Sequence, residues 1–382
     1  MASQAIDIVA GGPPPADPYE PSASAWAFAE GLAAGGRSVR VVYASPPSAN
    51  RAASPAGVEA APVEVRLRRP GSATDPADFA RAAGARLRPE ADSVLRDPVG
   101  LGVLGGRGLG PRRVVGVARS LGIADFERGR AGPGPRGVAA RLEVWRERRT
   151  VRRLERAAIG EATRLLYDDP EVGAALAREY AVPPEKTFAV AQPVAQGPAP
   201  PAREKARGAL GLPVDVPVVV ALCASDSAGP SGADGARDAF QRVRPFFPGA
   251  RLVVAGSTVP VGPGIVCAPR RDTESFVRAV ASADLVVVAP RVQGFDPGIV
   301  LAFRQGVAVV TVPSVRLPFD AERVVRKVDA NDPGGLASAL AELLADPAQR
   351  RELATRAHDH AARFDPARVV ADLEGAGVLP KG

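Results

Sequence analysis

Residues 282–312 run from a short apolar segment, 285–288, through helical spacing at 297–305, into a second, almost wholly apolar segment, 307–312. An apolar run of that length without alternation suits a strand covered on both faces. Strand, helix and strand in this order make a parallel pair joined by a crossover. A chain built this way is confined to the α/β class, with helices packed on a mostly parallel sheet.

The pattern extends in both directions. In the second half, residues 216–222, 251–255 and 265–267 read as strands, and 234–247, 273–281, 332–344, 347–363 and 365–373 as helices. Asp332-Pro333 and Asp346-Pro347 each place a side-chain acceptor before a proline, a favourable helix start. In the first half, strands are expected at 6–10, 39–44, 63–67, 92–95, 114–117, 162–167 and 187–191. Helices are expected at 22–35, at 78–87, over an arginine-rich stretch near 150, and at 170–180. Trp26, Ala29, Leu32 and Ala33 share a face of the first of these.

A chain of 382 residues is too long for one ordinary core. We expect an N-terminal Rossmann-like domain over residues 1–196 and a second over 203–362. The proline-rich stretch 196–202 links them, and a C-terminal helix in 363–382 packs back on the first domain.

Composition removes several function classes. No run of eighteen apolar residues suggests a membrane span, and the N-terminus has no signal-peptide pattern. The two histidines, His358 and His360, stand together near the C-terminus. They cannot supply a four-ligand zinc site or histidine catalysis elsewhere in the chain. The two cysteines, Cys223 and Cys267, fall in expected strands as buried free thiols, which fits a cytoplasmic protein. The net charge of +7 owes much to Arg130, Arg136, Arg141, Arg146, Arg148, Arg149, Arg152, Arg153 and Arg156. That run reads as a solvated helix face or as a peripheral contact with anionic membrane, at its inner face. Nucleic acid is not expected, because the run carries one aromatic, Trp145, and no binding module. The glycines between Gly100 and Gly110 lack a Gly-Lys-Ser/Thr ending and a strand-to-helix setting, so they read as a connection.

The second half resembles the donor domain of retaining family-4 glycosyltransferases. Residues 248–256 (PGARLVVAG), 283–290 (ADLVVVAP), Gln293-Gly294-Phe295, 306–310 and the closing helices carry the resemblance. Residues 31–41 and 180–194 are similar to the family's first domain and its lead into the linker. The resemblance implies the glycosyltransferase B (GT-B) architecture, with two Rossmann-like parallel-sheet domains facing across a cleft. It implies a nucleotide-sugar donor on the second domain, a glycan, lipid or small-molecule acceptor on the first, and no cofactor or metal. Ligands at the carboxyl ends of parallel strands agree with the general rule for open α/β sheets.

The residues expected to do the chemistry depart from the family. Its diphosphate-holding Arg and Lys fall at Asp226 and Ser231. Reversing a charge about 4 Å from a phosphate turns roughly 4 kcal/mol of attraction into repulsion at an effective dielectric near 20. Backbone N–H groups and hydroxyls of the loop holding Ser225, Ser227 and Ser231 remain as phosphate donors. The family's two glutamates fall at Gln293 and Leu301. Leucine accepts no hydrogen bond, and each hydroxyl left unpaired costs about 1–3 kcal/mol.

Gly294, Phe295, Asp296 and Gly298 keep the shape of a turn leading into a helix N-terminus, with Asp296 readable also as its N-cap. Arg119 stands nearest the family's first-domain histidine. Arg270 and Arg271 stand in its nucleobase loop as further anion contacts.

Two functions follow. One is sugar transfer (a hexosyltransferase) with Arg119 and Gln293 in the catalytic positions. The other is a catalytically inactive homologue, a binding or scaffold partner in envelope or polysaccharide assembly. A third reading keeps transfer but takes an unusual donor such as a lipid-phosphate sugar.

Overall fold

A computed structural model describes residues 4–10, 14, 19, 23–45, 54–64, 79, 82–97, 113–118, 138–222, 233–256, 262–268, 272–288, 296–312, 317, 320–328 and 334–381. The chain divides into two compact units. Unit 1 holds Met1–Pro15, Ser22–Pro193 and Pro366–Gly382, and unit 2 holds Ala16–Pro21 and Val194–Asp365.

Unit 1 is a parallel sheet of β1 (Ala5–Ala10), β2 (Ser38–Ser45), β3 (Val58–Glu64), β4 (Ser93–Asp97), β5 (Arg113–Val117), β6 (Arg164–Tyr167) and β7 (Thr187–Ala189). The spatial order is β3-β2-β1-β4-β5-β6-β7. Its helices include α1 (Ser24–Ala34), α2 (Val138–Glu161) and α3 (Pro170–Tyr180). The period-2 alternation of strands sorts the core. Ile6, Ile8, Val39, Val41 and Tyr43 face Trp26, Phe28 and Leu32 of α1, while Val9, Val42, Ala44 and Val94 face Phe79 and Ala83 on the other side.

The third strand lies earlier than its expected place at 63–67, because parallel register with β2 pairs Val39 with Val58 and Ser45 with Glu64. It is an edge strand, which is where Pro62 is tolerated. Fully buried Asp7 of β1 accepts from the Arg88 backbone N–H at 2.6 Å and its Nε at 2.7 Å. The rest of that guanidinium donates to Ser38 Oγ and to the carbonyls of Ile6 and Ser38.

Unit 2 is a second parallel sheet of β8 (Val218–Leu222), β9 (Arg251–Ala255), β10 (Ile265–Ala268), β11 (Leu285–Val288), β12 (Ala308–Thr311) and β13 (Arg326–Lys327), in the order β10-β9-β8-β11-β12-β13. Its helices are α4 (Arg203–Ala209), α5 (Ala233–Val243), α6 (Thr273–Ala281), α7 (Pro297–Arg304), α8 (Gly335–Ala345) and α9 (Pro347–Ala361). Val219, Ala221, Leu285, Val287, Ala308 and Val310 meet α5 and α8 on one face. The alternate residues Val220, Val286, Val288 and Val309 are equally buried. Cover on both faces is why these strands read as unbroken apolar runs.

Helix α5 ends at Val243, four residues before its expected end. Cys267 is half-buried on edge strand β10, not buried as expected, since an edge lacks cover on one side. Cys223 lies outside the described residues. Helix α4, not expected from the sequence, carries buried Arg207 to Asp284, whose carboxylate also accepts from Val218 N–H at 2.8 Å.

The chain then returns to unit 1 as α10 (Pro366–Gly375), which lies against α1. A Cβ on Gly31 would stand 2.4 Å from Pro366 O, so only glycine permits this approach. Val369, Val370, Leu373, Val378 and Leu379 join the unit 1 core. Arg37 pairs with Glu374 and donates to Pro380 O at 2.8 Å, and Arg113 donates to Val378 O at 3.0 Å.

Candidate functional site

In unit 2 the chain steps from β8 outward to β9 and β10, then crosses to β11 on the other side of β8. Strands β8 and β11 are therefore neighbours whose next strands, β9 and β12, lie on opposite sides of the pair, and such a switch point is where open α/β sheets bind ligands. Residues 223–232 follow β8 and residues 289–295 follow β11. The first segment contains Ser225, Ser227 and Ser231, the second Gln293, Gly294 and Phe295. Arg270 and Arg271 follow β10, and in unit 1 Arg119 follows Ala118 beyond β5. All nine lie outside the described residues. Asp296 and Gly298 are described, and both belong to the first turn of α7.

Asp296 has an extended backbone, and its side chain accepts from Gly298 N–H at 2.8 Å. Ile299 N–H donates to Asp296 O at 3.0 Å, and Pro297 has no N–H. The opening donors of α7 are thus satisfied from within. The same device opens two other helices. Asp169 before Pro170 accepts from Glu171 N–H, and Asp346 before Pro347 accepts from Ala348 and Gln349 N–H. The Asp296 carboxylate offsets the positive end of the helix dipole and disfavours a second anion at that position.

Gly298 serves close packing. A Cβ there would stand 2.9 Å from Phe276 Cζ, 3.0 Å from Asp296 Oδ1 and 3.2 Å from Leu222 Cδ1. The first turn of α7 therefore rests on the carboxyl end of β8 and on α6. Phe276 in turn lies 6.0 Å from the ring of buried Tyr19, and a Cβ on Gly197 would stand 2.5 Å from that tyrosine's oxygen. Leu301 is 2 % exposed, among Ile299, Val300 and Phe303 at 0 %. It is a core residue.

The other end of α7 is anchored as well. Arg304 donates to the carbonyls of Val194 and Ala195. His358 Nδ1 lies 3.1 Å from Arg304 O and 3.3 Å from Phe303 O. Both partners are acceptors, so this nitrogen carries the proton and caps the helix.

Sequence reasoning passed over Thr311, the last residue of β12. It is fully buried, and its hydroxyl has no hydrogen-bond partner among the described residues. Ala308 and Val310 face α5 and α8, so alternation directs Thr311 to the α7 side, at the strand end where α7 begins. A lone threonine in an apolar run gives no local signal of this. Among the described residues no cluster of His, Cys, Asp and Glu could hold a metal ion, and no helix is long and apolar enough to cross a membrane.

No protein-family model and no curated protein matches the chain. Solved structures do match. Sucrose-phosphate synthase from Thermosynechococcus elongatus is similar with a TM-score of 0.71 and 19% identity, over 97% of this chain and 98% of that one. WaaG, a glycosyltransferase involved in lipopolysaccharide biosynthesis, gives 0.73 and 17%, over 99% and 100%. HepE from Anabaena, in complex with UDP and glucose, gives 0.67 and 14%, over 98% and 100%. The chain has the glycosyltransferase GT-B fold. Packing patterns survive at such identity because many apolar side chains fill one strand position equally well, whereas site chemistry does not follow from the fold.

Proposed function

We propose that the chain is a glycosyltransferase-like protein that takes a nucleotide-sugar donor on unit 2 and a glycan, lipid or small-molecule acceptor on unit 1. The observation that carries this reading is the switch point between β8 and β11, the two strands that the segments bearing Ser225, Ser227, Ser231 and Gln293 follow in sequence. The Thr311 hydroxyl on the same end of the sheet, unpaired among the described residues, supports it, since a polar partner would relieve a cost of about 1–3 kcal/mol. Complexes of HepE with UDP, with UDP and glucose, and with UDP-glucose make a uridine nucleotide the first donor to try. Because Asp296 occupies the start of α7, the diphosphate contacts in this reading fall to Arg270, Arg271 and the loop of Ser225, Ser227 and Ser231. Arg119 and Gln293 keep the catalytic positions.

A specific observation favours a second reading, an inactive homologue acting as a binding or scaffold partner. Leu301 is sunk in the core and Asp296 adds negative charge where a diphosphate would need the opposite. Thermal shift with UDP-, GDP- and ADP-sugars separates the two. A donor at a hundred times its dissociation constant adds about 2.7 kcal/mol to stability and raises the melting temperature. If no nucleotide sugar at millimolar concentration moves it, the enzyme reading in its usual form fails.

A further inference from the structure

Helix α2 offers a separate surface that does not depend on sugar transfer. Its last turns are packed. Ala158 and Ile159 are buried with Leu165, Val172 and Leu176, and buried Glu155 accepts from the Tyr180 hydroxyl. Ahead of them, the described side chains from Trp145 to Arg153 are exposed, apart from half-buried Val151. The exposed charged residues described on this helix are all arginine: Arg146, Arg148, Arg149, Arg152, Arg153 and Arg156.

At about 100° per residue these arginines and Trp145 fall within an arc of about 160°, with Trp145 and Arg156 near its middle. The stripe runs for about 16 Å at 1.5 Å per residue. Arg149, Arg153 and Arg156 have no acidic residue three or four positions away. Like charges at those spacings work against the helix, and a layer of negative charge laid along the stripe removes that opposition.

Trp145 is 53 % exposed, with the Arg149 guanidinium 5.4 Å from its ring centroid. An exposed indole has an apolar body and a polar edge, which suits the headgroup layer of a bilayer. A one-sided stripe also fits a flat partner better than a groove.

The geometry points to α2 as the face by which this chain docks on an anionic bilayer. Trp145 enters the headgroup layer and the flanking arginines meet lipid phosphates. The full chain is floated with vesicles of phosphatidylcholine alone and of phosphatidylcholine mixed with phosphatidylglycerol. Recovery with the mixed vesicles only, lost at high salt, is expected. Tryptophan emission then shifts to the blue, and because Trp26 is buried the shift reports Trp145.

Arg149→Gln, Arg153→Gln and Arg156→Gln each lower partitioning about fivefold, the factor corresponding to about 1 kcal/mol per surface arginine. Their exposed positions leave the melting temperature in place, which is measured alongside. Equal recovery with both vesicle types overturns the proposal. So does unchanged partitioning of the triple variant, or tighter binding to duplex or single-stranded nucleic acid than to the mixed vesicles at equal salt.

Discussion

Asp7 and Arg88 show what a single buried pair does in unit 1. Each nitrogen of the guanidinium donates to an oxygen of the chain, which is the condition under which a buried ion pair is tolerated. Removing one partner leaves a buried charge. Arg88→Met should cost about 3–5 kcal/mol and lower the urea midpoint, while Asp7→Leu with Arg88→Met should recover most of it.

Tyr180 makes a pH prediction. Burial first, then its bond to Glu155, raises its pKa above the ordinary value of 10.0. The unfolded tyrosine ionises first, so its contribution is complete below about pH 10 and is lost as pH rises beyond that. Lys186, whose pKa burial lowers, moves stability the opposite way just below its ordinary value of 10.5. Melting temperature against pH should therefore fall less steeply above pH 10 in Tyr180→Phe than in the wild type. Thr311→Val tests the unpaired hydroxyl. Stability should hold or rise without ligand, and any shift produced by a nucleotide sugar should shrink.

Helix α7 is fixed at both ends. Its start is capped by Asp296 and pressed onto Leu222 and Phe276 through Gly298, and its end is tied by Arg304 and His358. Gly298→Ala should destabilise by about 1–3 kcal/mol through overpacking, in spite of alanine's better helix propensity. Asp296→Ala should cost about 1 kcal/mol from the lost cap and strengthen UDP binding by calorimetry. Weaker UDP binding in that variant would mean that Asp296 holds the donor. The existence and near-limits of α7 were legible locally, from Pro297 at N1, the apolar spacing and the acceptor before it. What Gly298 is for was not legible, because Phe276 and Leu222 reach it from other elements.

At the scale of the whole chain, α10 matters most. It follows unit 2 in sequence yet completes the core of unit 1. A chain ending at Asp365 should lose the cover over Leu32 and the partners of Arg37 and Arg113. Limited proteolysis should then cut unit 1 well before unit 2, whereas equal rates would show that α10 adds little.

By itself the sequence determined the class of fold, the alternation of strands and helices, and the starts of α7 and α9 behind Asp296 and Asp346, whereas α8 begins at Gly335 with no side-chain cap, later than the expected start at Asp332-Pro333. Those are short-range matters of periodicity and capping. Tertiary structure decided the register that places β3 at Val58–Glu64, the Arg207–Asp284 tie through unexpected α4, the buried hydroxyl of Thr311 and the one-sided exposure of α2. Each of these depends on which distant groups arrive to pair with a residue or cover it, and spacing along the chain does not encode that.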